Sequence, residues 1–310
     1  MNSSPNLIAN TRQTKKLFSI PEKTEYTGPA TTHTVHLGDA RHLEWISDTS
    51  VHLIVTSPPY FNLKTYNDHP AQLGNWNSYQ DFLDQLDEIW RHCYRVLVPG
   101  GRLVCIVGDI CISRRSNRGR HHVLPLHADI SVRSRKIGFD YLTPIIWNKI
   151  ANAQFEVQGN GGGFLGKPYE PNAIVKNDIE YILMLRKHGA YRNPSEQQRA
   201  SSRLTKSEQQ NWFKPIWFDI PGASTRQHPA PFPLELAYRL VRMFSFTGDI
   251  VLDPFSGTAT TTIAAIQADR NSIANEIDPC YFDSGLERIR EEIGQGVLGK
   301  SAPNLIIHNK

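Results

Sequence analysis

Short apolar runs alternate with longer amphipathic stretches along most of this chain. The apolar, often β-branched, runs predict strands at residues 51–55, 102–107, 145–149, 179–186, 250–252 and 272–276. Apolar positions that recur every three or four residues predict helices at 78–97, 234–244, 258–268 and 279–293. Strands that alternate with helices favour an α/β fold, with a largely parallel sheet covered on both faces.

Composition divides the chain into four parts. Residues 1–30 are polar and contain prolines, which predicts an N-terminal arm. The regular pattern at 31–186 and 227–293 predicts one α/β domain. Residues 187–226 are rich in Ser, Gln, Arg, Asn and Pro and predict an insertion, and residues 294–310 predict a tail.

The bulk composition narrows the class of protein. With 39% hydrophobic and 21% charged residues, the chain is typical of a soluble globular protein. Its four cysteines show no CxxC spacing, which argues against a disulfide framework or a zinc site. No apolar run approaches the ~18 residues of a membrane span, and residues 1–16 lack the apolar segment of a signal peptide. We therefore expect a cytoplasmic protein.

Positive charge is concentrated in two segments. Residues 111–136 carry seven Lys or Arg against Asp129, and residues 186–206 carry six against Glu196. Because the whole chain has a net charge of +4, the remainder is acidic. Basic segments on an acidic body are typical of a localised polyanion contact, although two solvated loops are the alternative.

The segment from Asp253 to Glu276 carries the first candidate site. A predicted strand ends in Asp253, a turn of small residues (256–259) follows, and the next predicted strand ends in Glu276, 23 residues later. In such sheets a glycine turn lets a ligand approach the backbone, and an acid ending the next strand can accept hydrogen bonds from ribose. The turn lacks a full GxGxxG. It therefore suits a cationic nucleoside such as S-adenosylmethionine better than a dinucleotide, with an ordinary βαβ turn as the alternative.

Ser57-Pro58-Pro59-Tyr60 follows the predicted strand 51–55 and carries the second candidate site. Two consecutive prolines fix φ near about −65° and remove two N–H donors. The turn therefore offers the Ser57 hydroxyl and the Pro58 carbonyl as acceptors beside the Tyr60 ring. An amino group held between two acceptors and stacked on a ring is what a flipped nucleobase requires.

Residues 56–60 (TSPPY) and 253–261 (DPFSGTATT) together resemble the amino-methyltransferases of DNA, whose catalytic motif is [DNS]PP[YFW]. The catalytic motif precedes the cofactor motif, and this order resembles the permuted beta group, with target recognition between the two halves. The resemblance spans roughly residues 35–292. It implies a Rossmann-like methyltransferase sheet with circularly permuted motif order, S-adenosylmethionine as cofactor and duplex DNA as substrate.

The resemblance also implies roles for individual residues. Ser57, Pro58, Pro59 and Tyr60 correspond to the catalytic motif. Residues 38–40 resemble the segment that contacts the cofactor's adenine, 228–233 the HPxxxP stretch around the cofactor, and 146–149 a strand beside the target-base pocket. The implied cofactor-binding residues are Asp39, Ala40, Phe232, Asp253, Phe255, Ser256, Gly257, Thr258, Glu276 and Ile277.

Two positions depart from the usual family pattern. Ala259 replaces a second glycine of the cofactor turn, and Ser57 occupies the catalytic position. In the family, Ser at this position mostly accompanies methylation of the N4 amine of cytosine, and Asp that of the N6 amine of adenine. The resemblance therefore implies N4-cytosine methylation, with N6-adenine methylation as the alternative.

Other chemistries fit the sequence less well. C5-cytosine methylation needs a thiolate nucleophile, and none of the four cysteines lies in a Pro-Cys turn at a strand end, because Pro279-Cys280 begins the predicted helix 279–293. His121, His122 and His127 lie among arginines, so we expect no metal site. A dinucleotide oxidoreductase would need the fuller glycine pattern, and a non-catalytic DNA-binding protein would not need both motifs intact.

A duplex substrate requires base flipping, which costs a few kcal/mol. We expect a basic loop to offset this cost by contacting phosphates through Arg114, Arg115, Arg118 and Arg120. Residues 187–226 are expected to recognise the target sequence, with the glycine-rich residues 159–163 as a second candidate. Further expected partners are a cognate restriction endonuclease and a second copy of the chain.

Overall fold

The computed structural model describes residues 30–62, 71–76, 78–112, 117–149, 177–223, 231–295 and 302–309, with the short pieces 28, 164–165, 171 and 173–175. Its strands are β1 (Thr32–Leu37), β2 (Val51–Thr56), β3 (Leu97–Val107), β4 (Ile110–Ile112), β5 (His122–Leu124), β6 (Phe139–Asn148), β7 (Phe164–Leu165), β8 (Ile174–Val175), β9 (Ile179–Lys187), β10 (Ile216–Trp217), β11 (Ile250–Asp253), β12 (Asn271–Glu276) and β13 (Asn304–Asn309). Its α-helices are α1 (Tyr79–Val96), α2 (Leu126–Ile137), α3 (Glu196–Ser201), α4 (Lys206–Trp212), α5 (Leu234–Phe244), α6 (Thr260–Gln267) and α7 (Pro279–Gly294).

Nine of these strands form one sheet, in the order β10-β6-β9-β3-β2-β11-β12-β1-β13. Neighbouring strands are parallel except at β9, which is antiparallel to both β3 and β6. The predicted α/β class with a largely parallel sheet is thus confirmed.

Both faces of the sheet are buried, and successive side chains of a strand enter different cores. On β3, Cys105 packs in the cluster under α1 and α2, whereas Val104 and Ile106 pack in the cluster under α5 and α6. A third cluster under α7 contains Phe282 and Leu286. Burial on both faces explains why the central strands are continuous apolar runs.

The order of the strands reverses between β2 and β11, which are parallel neighbours. From β2 the chain passes through α1 to β3 on one side, and from β11 it passes through α6 to β12 on the other. The loops that leave the two carboxyl ends therefore diverge. Such a reversal is where open α/β sheets bind ligands.

Helix α1 lies close to its predicted bounds, and strand β3 begins earlier than predicted. The Ser78 hydroxyl accepts a hydrogen bond from the backbone N–H of Asp81 and caps the helix. Strand β3 starts at Leu97 and includes the Pro99-Gly100-Gly101 segment, where its register against β2 shifts. Gly100 has φ +76°, a conformation that favours glycine. The segment therefore ends the helix and forms an irregularity within the strand.

The basic segment 111–136 contains structure that the sequence analysis did not predict. Strands β4 and β5 form an antiparallel hairpin, and helix α2 follows. Leu126 and Ile130, four residues apart, are the buried apolar positions of this helix. This spacing was a helical signal, and the surrounding arginines and histidines obscured it.

The predicted insertion at 187–226 is attached to the main sheet. It contains α3, α4 and β10, and β10 extends the sheet by pairing in parallel with β6. The Nε1 of Trp217 donates to the carbonyl of Trp212 at 2.9 Å, and both side chains are buried. The Nε1 of Trp147 on β6 donates to the carbonyl of Ile220 at 2.8 Å. These aromatic contacts join the insertion to the sheet.

The predicted tail also contributes to the sheet. Asn304–Asn309 forms the edge strand β13, parallel to β1, and Leu305 packs against the cluster under α7. The prediction of a tail at 294–310 was therefore wrong for residues 304–309, because the short apolar run Leu305-Ile306-Ile307 pairs with β1. The predicted arm falls outside the described residues except at positions 28 and 30. None of the described helices is long and apolar enough to span a membrane.

The attachment of the insertion can be tested with two adjacent aromatic residues. Trp217 is 1% exposed and Phe218 is 66% exposed. We expect Trp217→Ala to lower the free energy of unfolding by about 3–5 kcal/mol, because it leaves a cavity against the sheet. Phe218→Ala should change it by less than about 0.5 kcal/mol. Urea unfolding measures both values, and equal effects would contradict the described packing.

Candidate active site

A cleft of about 600 Å³, including its open mouth, lies at the carboxyl ends of β1, β2, β11 and β12. The residues that line it are Asp39, Ala40, Ser57, Pro58, Pro59, Ala71, Gln72, Leu73, Pro254, Phe255, Gly257, Asn275, Glu276, Ile277 and Tyr281. Nine of these are predicted site residues. The fold thus brings the predicted catalytic turn and the predicted cofactor turn into one cleft.

Glu276 is the last residue of β12, and its carboxylate is held by two backbone donors. Its Oε2 accepts from the N–H of Gly257 at 2.6 Å, and its Oε1 accepts from the N–H of Asp278 at 3.0 Å. Burial raises the pKa of Glu276 to about 7, although the two N–H groups oppose this rise. Because each carboxylate oxygen can accept more than one hydrogen bond, Glu276 can still accept from a ligand hydroxyl.

The turn between β11 and α6 has two residues in the left-handed region. Gly257 has φ +50°, and Ala259, which precedes the first residue of α6, has φ +63°. The position where the family often has a second glycine is therefore one where glycine is conformationally favoured. Ala259 is buried and packs in the cluster under α7, which holds it in this conformation.

Asp39 follows β1 and is fixed by Arg41. The Arg41 Nε donates to Asp39 Oδ2 at 2.9 Å, and Arg41 Nη1 donates to Gln85 of α1 at 2.6 Å. Burial alone would raise the pKa of Asp39, but the hydrogen bonds and charge of Arg41 hold it below its usual range. Asp39 therefore presents a fixed, ionised carboxylate at the cleft.

Asp253 does not line the cleft, in contrast to its predicted role in cofactor binding. It is 1% exposed, and its Oδ1 accepts from the Thr56 hydroxyl at 2.6 Å. The N–H of Phe255 also donates to Oδ1, at 3.1 Å, and the Thr261 hydroxyl donates to Oδ2, at 2.8 Å. Burial raises the pKa of Asp253 to about 6, against these three donors. The side chain of Asp253 thus joins β2, the turn and α6.

Four other predicted residues also lie outside the wall of the cleft. Tyr60 is 6% exposed and its hydroxyl accepts from the N–H of Gly108 at 3.2 Å, so its ring packs in the core under α1 rather than offering an open face. Phe232 packs against the core under α5 and α6. Ser256 and Thr258 are buried in the turn, and Arg288 Nη1 donates to the Thr258 hydroxyl at 2.9 Å.

The predicted DNA-binding arginines are only partly described. Arg118 and Arg120 are exposed in the turn between β4 and β5. Arg114, Arg115, residues 159–163 and residues 228–230 lie outside the described residues.

Residues 51–287 match the N6_N4_Mtase family of DNA methylases. The chain belongs to this family.

Individual relatives cover most of this DNA methylase. It is 39% identical to the type II methyltransferase M.MjaI of Methanocaldococcus jannaschii, over 80% of this chain and 88% of the relative. It is 33% identical to the type II methyltransferase M.MthZI of Methanothermobacter thermautotrophicus, over 85% of this chain and 78% of the relative.

Solved structures agree with the fold of this DNA methylase. One such structure is that of TTHA0409, a candidate DNA modification methylase of Thermus thermophilus, solved in complex with S-adenosyl-L-methionine. It is 48% identical in sequence and has a TM-score of 0.73, and the match covers 90% of this chain and 100% of TTHA0409. The cytosine-N4-specific PvuII DNA methyltransferase shares the fold, with a TM-score of 0.58 and 18% identity over 89% of this chain and 96% of its own.

Several residues of the cleft in this DNA methylase were not predicted. Asn275 immediately precedes Glu276, and its Nδ2 donates to the carbonyl of Gly38 at 2.9 Å, which fixes the segment that carries Asp39. Tyr281 lies in the first turn of α7, which Asp278 caps. Asn275 lies within the predicted strand 272–276 and Tyr281 follows it closely, and this proximity to Glu276 was a usable signal. Residues 71–73 lie between predicted elements and carried no such signal.

The raised pKa of Glu276 has a measurable consequence for stability. Because the fold disfavours its charged form, the free energy of unfolding should fall as pH rises from the ordinary value of 4.5 to about 7. Glu276→Gln lacks this ionisation. We therefore expect the stability difference between the two proteins to move in favour of the variant across that window, by up to about 3 kcal/mol. Urea unfolding without cofactor at pH 5 and pH 8 measures it, and a pH-independent difference would contradict the assignment.

Proposed function

We propose that this chain transfers a methyl group from S-adenosylmethionine to the N4 amine of cytosine in duplex DNA, as a member of the beta group. The observation that carries the proposal is the single cleft shared by Ser57-Pro58-Pro59 and by Gly257 and Glu276. An enzyme that joins two substrates needs both binding turns in one place.

The chemistry of the cleft supports this cofactor. Among the described residues that line it, Asp39 and Glu276 are acidic and none is Lys or Arg, which suits a cationic nucleoside without phosphates. Glu276 would accept from the ribose hydroxyls, and the backbone at Gly257 allows close approach. Asp39 would contact the adenine side, and Phe255 offers an apolar wall. When bound, S-adenosylmethionine supplies an electrophilic methyl group on a sulfonium ion.

The catalytic turn would act by holding the target amine. The exocyclic amine is a poor nucleophile, because its lone pair is delocalised into the ring. The Ser57 hydroxyl and the Pro58 carbonyl would accept hydrogen bonds from its two N–H groups. These bonds would localise the lone pair on the nitrogen and direct it at the methyl group. Pro58 and Pro59 have no N–H groups, so no donor of their own competes for these acceptors.

The amine would then attack the methyl group directly, so that the N–C bond forms as the methyl–sulfur bond breaks, without a covalent enzyme intermediate. The sulfur would leave as a neutral thioether on the spent cofactor, and the amine would lose one proton to solvent. The alternative chemistry at cytosine C5 needs a thiolate. Cys93 and Cys105 are fully buried, and burial raises the pKa of both thiols, so neither supplies one.

DNA would approach along the carboxyl edge of the sheet. The hairpin β4–β5 directly follows β3, the neighbour of the catalytic strand β2, and exposes Arg118 and Arg120. Phosphate contacts there, with Arg114 and Arg115, would stabilise a duplex from which the target base has flipped. We assign sequence recognition to residues 187–226.

The relatives bear on the biological context. We propose that the chain acts in a restriction-modification system with a cognate endonuclease, because M.MjaI and M.MthZI are named type II methyltransferases. A homodimer and a cytoplasmic location stay predictions.

The methylated nucleoside that the protein produces identifies its target base. DNA from a methylation-free host that expresses the protein should contain N4-methylcytosine, which chromatography and mass spectrometry of nucleosides separate from N6-methyladenine and 5-methylcytosine. Ser57→Ala should lower kcat about ten- to a hundredfold, because one hydrogen bond to the amine is lost while the Pro58 carbonyl remains. Affinity for the cofactor should change little.

Ser50→Ala, just before the amino end of β2, is the matched control and should retain wild-type activity. Detection of N6-methyladenine alone would contradict the cytosine assignment and would support adenine methylation by the same cleft.

The proposed contact of the hairpin with phosphates can be tested by the salt dependence of DNA binding. Replacement of Arg114, Arg115, Arg118 and Arg120 by Ala should weaken binding to all duplex sequences alike. The slope of log K against log salt should fall by about 0.9 for each phosphate that the variant no longer neutralises. Arg290→Ala, on an exposed position of α7, serves as control. An altered sequence preference with unchanged binding to unrelated DNA would show that the hairpin reads bases.

A further inference from the structure

We propose that Asp253 is a positioning residue, which sets the catalytic turn against the cofactor turn through its hydrogen bond to Thr56. The inference rests on the proposed methyl transfer and adds a role for a residue that does not touch either substrate.

The contact joins the ends of two neighbouring strands that are distant in sequence. Thr56 is the last residue of β2, Asp253 is the last residue of β11, and 197 positions separate them. The Thr56 hydroxyl donates to Asp253 Oδ1 at 2.6 Å, and both side chains are buried. Ser57 follows Thr56 directly. The carboxylate therefore holds the residue next to the proposed acceptor of the target amine.

The same carboxylate holds the cofactor side of the cleft. Its Oδ1 also accepts from the N–H of Phe255, whose side chain lines the cleft, and its Oδ2 accepts from the Thr261 hydroxyl of α6. The Thr261 oxygen lies 3.2 Å from the carbonyl of Val55 on β2, so α6 contacts the catalytic strand at this point as well. Hydrogen bonds to a buried carboxylate are short and strong, so Asp253 forms a rigid junction between the end of β2, the turn after β11 and α6.

Methyl transfer depends on such a junction. The reacting atoms must approach to about 3–3.5 Å, and a misplacement of about 1 Å can cost about a hundredfold in rate. On the proposed function, Ser57 and Pro58 hold the amine, and the turn after β11 holds the methyl donor. The contact between Thr56 and Asp253 fixes the distance between these two turns where they leave the sheet.

The electrostatic surroundings make this junction sensitive to pH. The titratable groups that face Asp253 from the elements around it are Cys93 of α1, Cys105 of β3 and Glu276 of β12, and the charge of Asp253 contributes to the raised pKa of each. Burial raises the pKa of Asp253 to about 6, so it gains a proton as pH falls through that value. The protonated oxygen becomes a donor and can no longer accept in the same way. We therefore expect kcat at saturating cofactor and DNA to fall below about pH 6.

Four variants test the role. Thr56→Val keeps the shape but removes the donor, Thr56→Ser keeps the donor, and Asp253→Asn keeps an acceptor but removes the charge. Thr262→Val is the matched control, because the Thr262 hydroxyl is buried and has no hydrogen-bond partner among the described residues. The measurements are Kd for S-adenosylmethionine by calorimetry, kcat and KM with duplex DNA, and kcat between pH 5 and pH 8.

We expect Thr56→Val to lower kcat by about tenfold or more, with the cofactor Kd within about twofold of wild type. Thr56→Ser should restore most of the activity, and Thr262→Val should match wild type. Asp253→Asn should lower kcat and abolish its fall near pH 6. Wild-type kcat in Thr56→Val, or a loss of cofactor affinity that accounts for its defect, would overturn the inference.

Two further outcomes are distinguishable. If Thr56→Val does not fold, Asp253→Asn decides the question: a lowered kcat with an unchanged cofactor Kd supports the positioning role, and wild-type kcat overturns it. Wild-type protein that yields no methylated base would contradict the proposed function itself, whereas an active wild type with an unaffected Thr56→Val would contradict only the positioning role.

Discussion

The parallel pairing of β2 with β11 is the contact on which the cleft depends. It brings together Leu53 with Val251 and Ile54 with Leu252, side chains that are fully buried in the cores on the two faces of the sheet. Complete burial of such a side chain contributes about 1.5–3 kcal/mol, so the apolar runs themselves stabilise this register. The loops that follow the two strands must then begin side by side and diverge. The cleft is the space that they leave.

Three carboxylates around this cleft are held in three different ways. Asp39 is paired with the guanidinium of Arg41, Glu276 accepts from backbone N–H groups, and Asp253 accepts mainly from hydroxyls. Only the first has a cationic partner, and only the first has a lowered pKa. A cationic ligand near Glu276 would favour its ionised form, since opposite charge lowers the pKa of an acid. A bound cationic ligand would therefore stabilise a negative charge on Glu276 that the protein alone disfavours.

Periodicity and position along the strands predicted most of the central architecture. Ser57 and Glu276 could be identified because each follows or ends a predicted strand, and parallel strands end at one edge of the sheet. Asp39 was identified only by resemblance to the family, because the strand before it was not predicted. The direction of a side chain at such an end is not encoded in this pattern, and Asp253 and Tyr60 turn into the core. Composition was a weaker guide, because many polar residues hid the few large apolar side chains that pack α2 and the insertion. The edge strand β13 contains only three consecutive apolar residues, Leu305 to Ile307, a shorter segment than most of the predicted strands.

The attachment of the insertion determines how recognition could be coupled to catalysis. Strand β6 is antiparallel to β9, which is antiparallel to β3, so β6 and its parallel neighbour β10 point in the same direction as β2. The residues after β10, beginning with the exposed Phe218, therefore leave the sheet at the same edge as Ser57. Four strand spacings of about 4.8 Å separate β2 from β10, or about 19 Å in all. This length corresponds to about five or six base pairs at about 3.4 Å each, which matches the scale of a short recognition site. On the proposed function, one rigid sheet would hold the reading segment at a fixed distance from the flipped base, and no hinge would be needed between them.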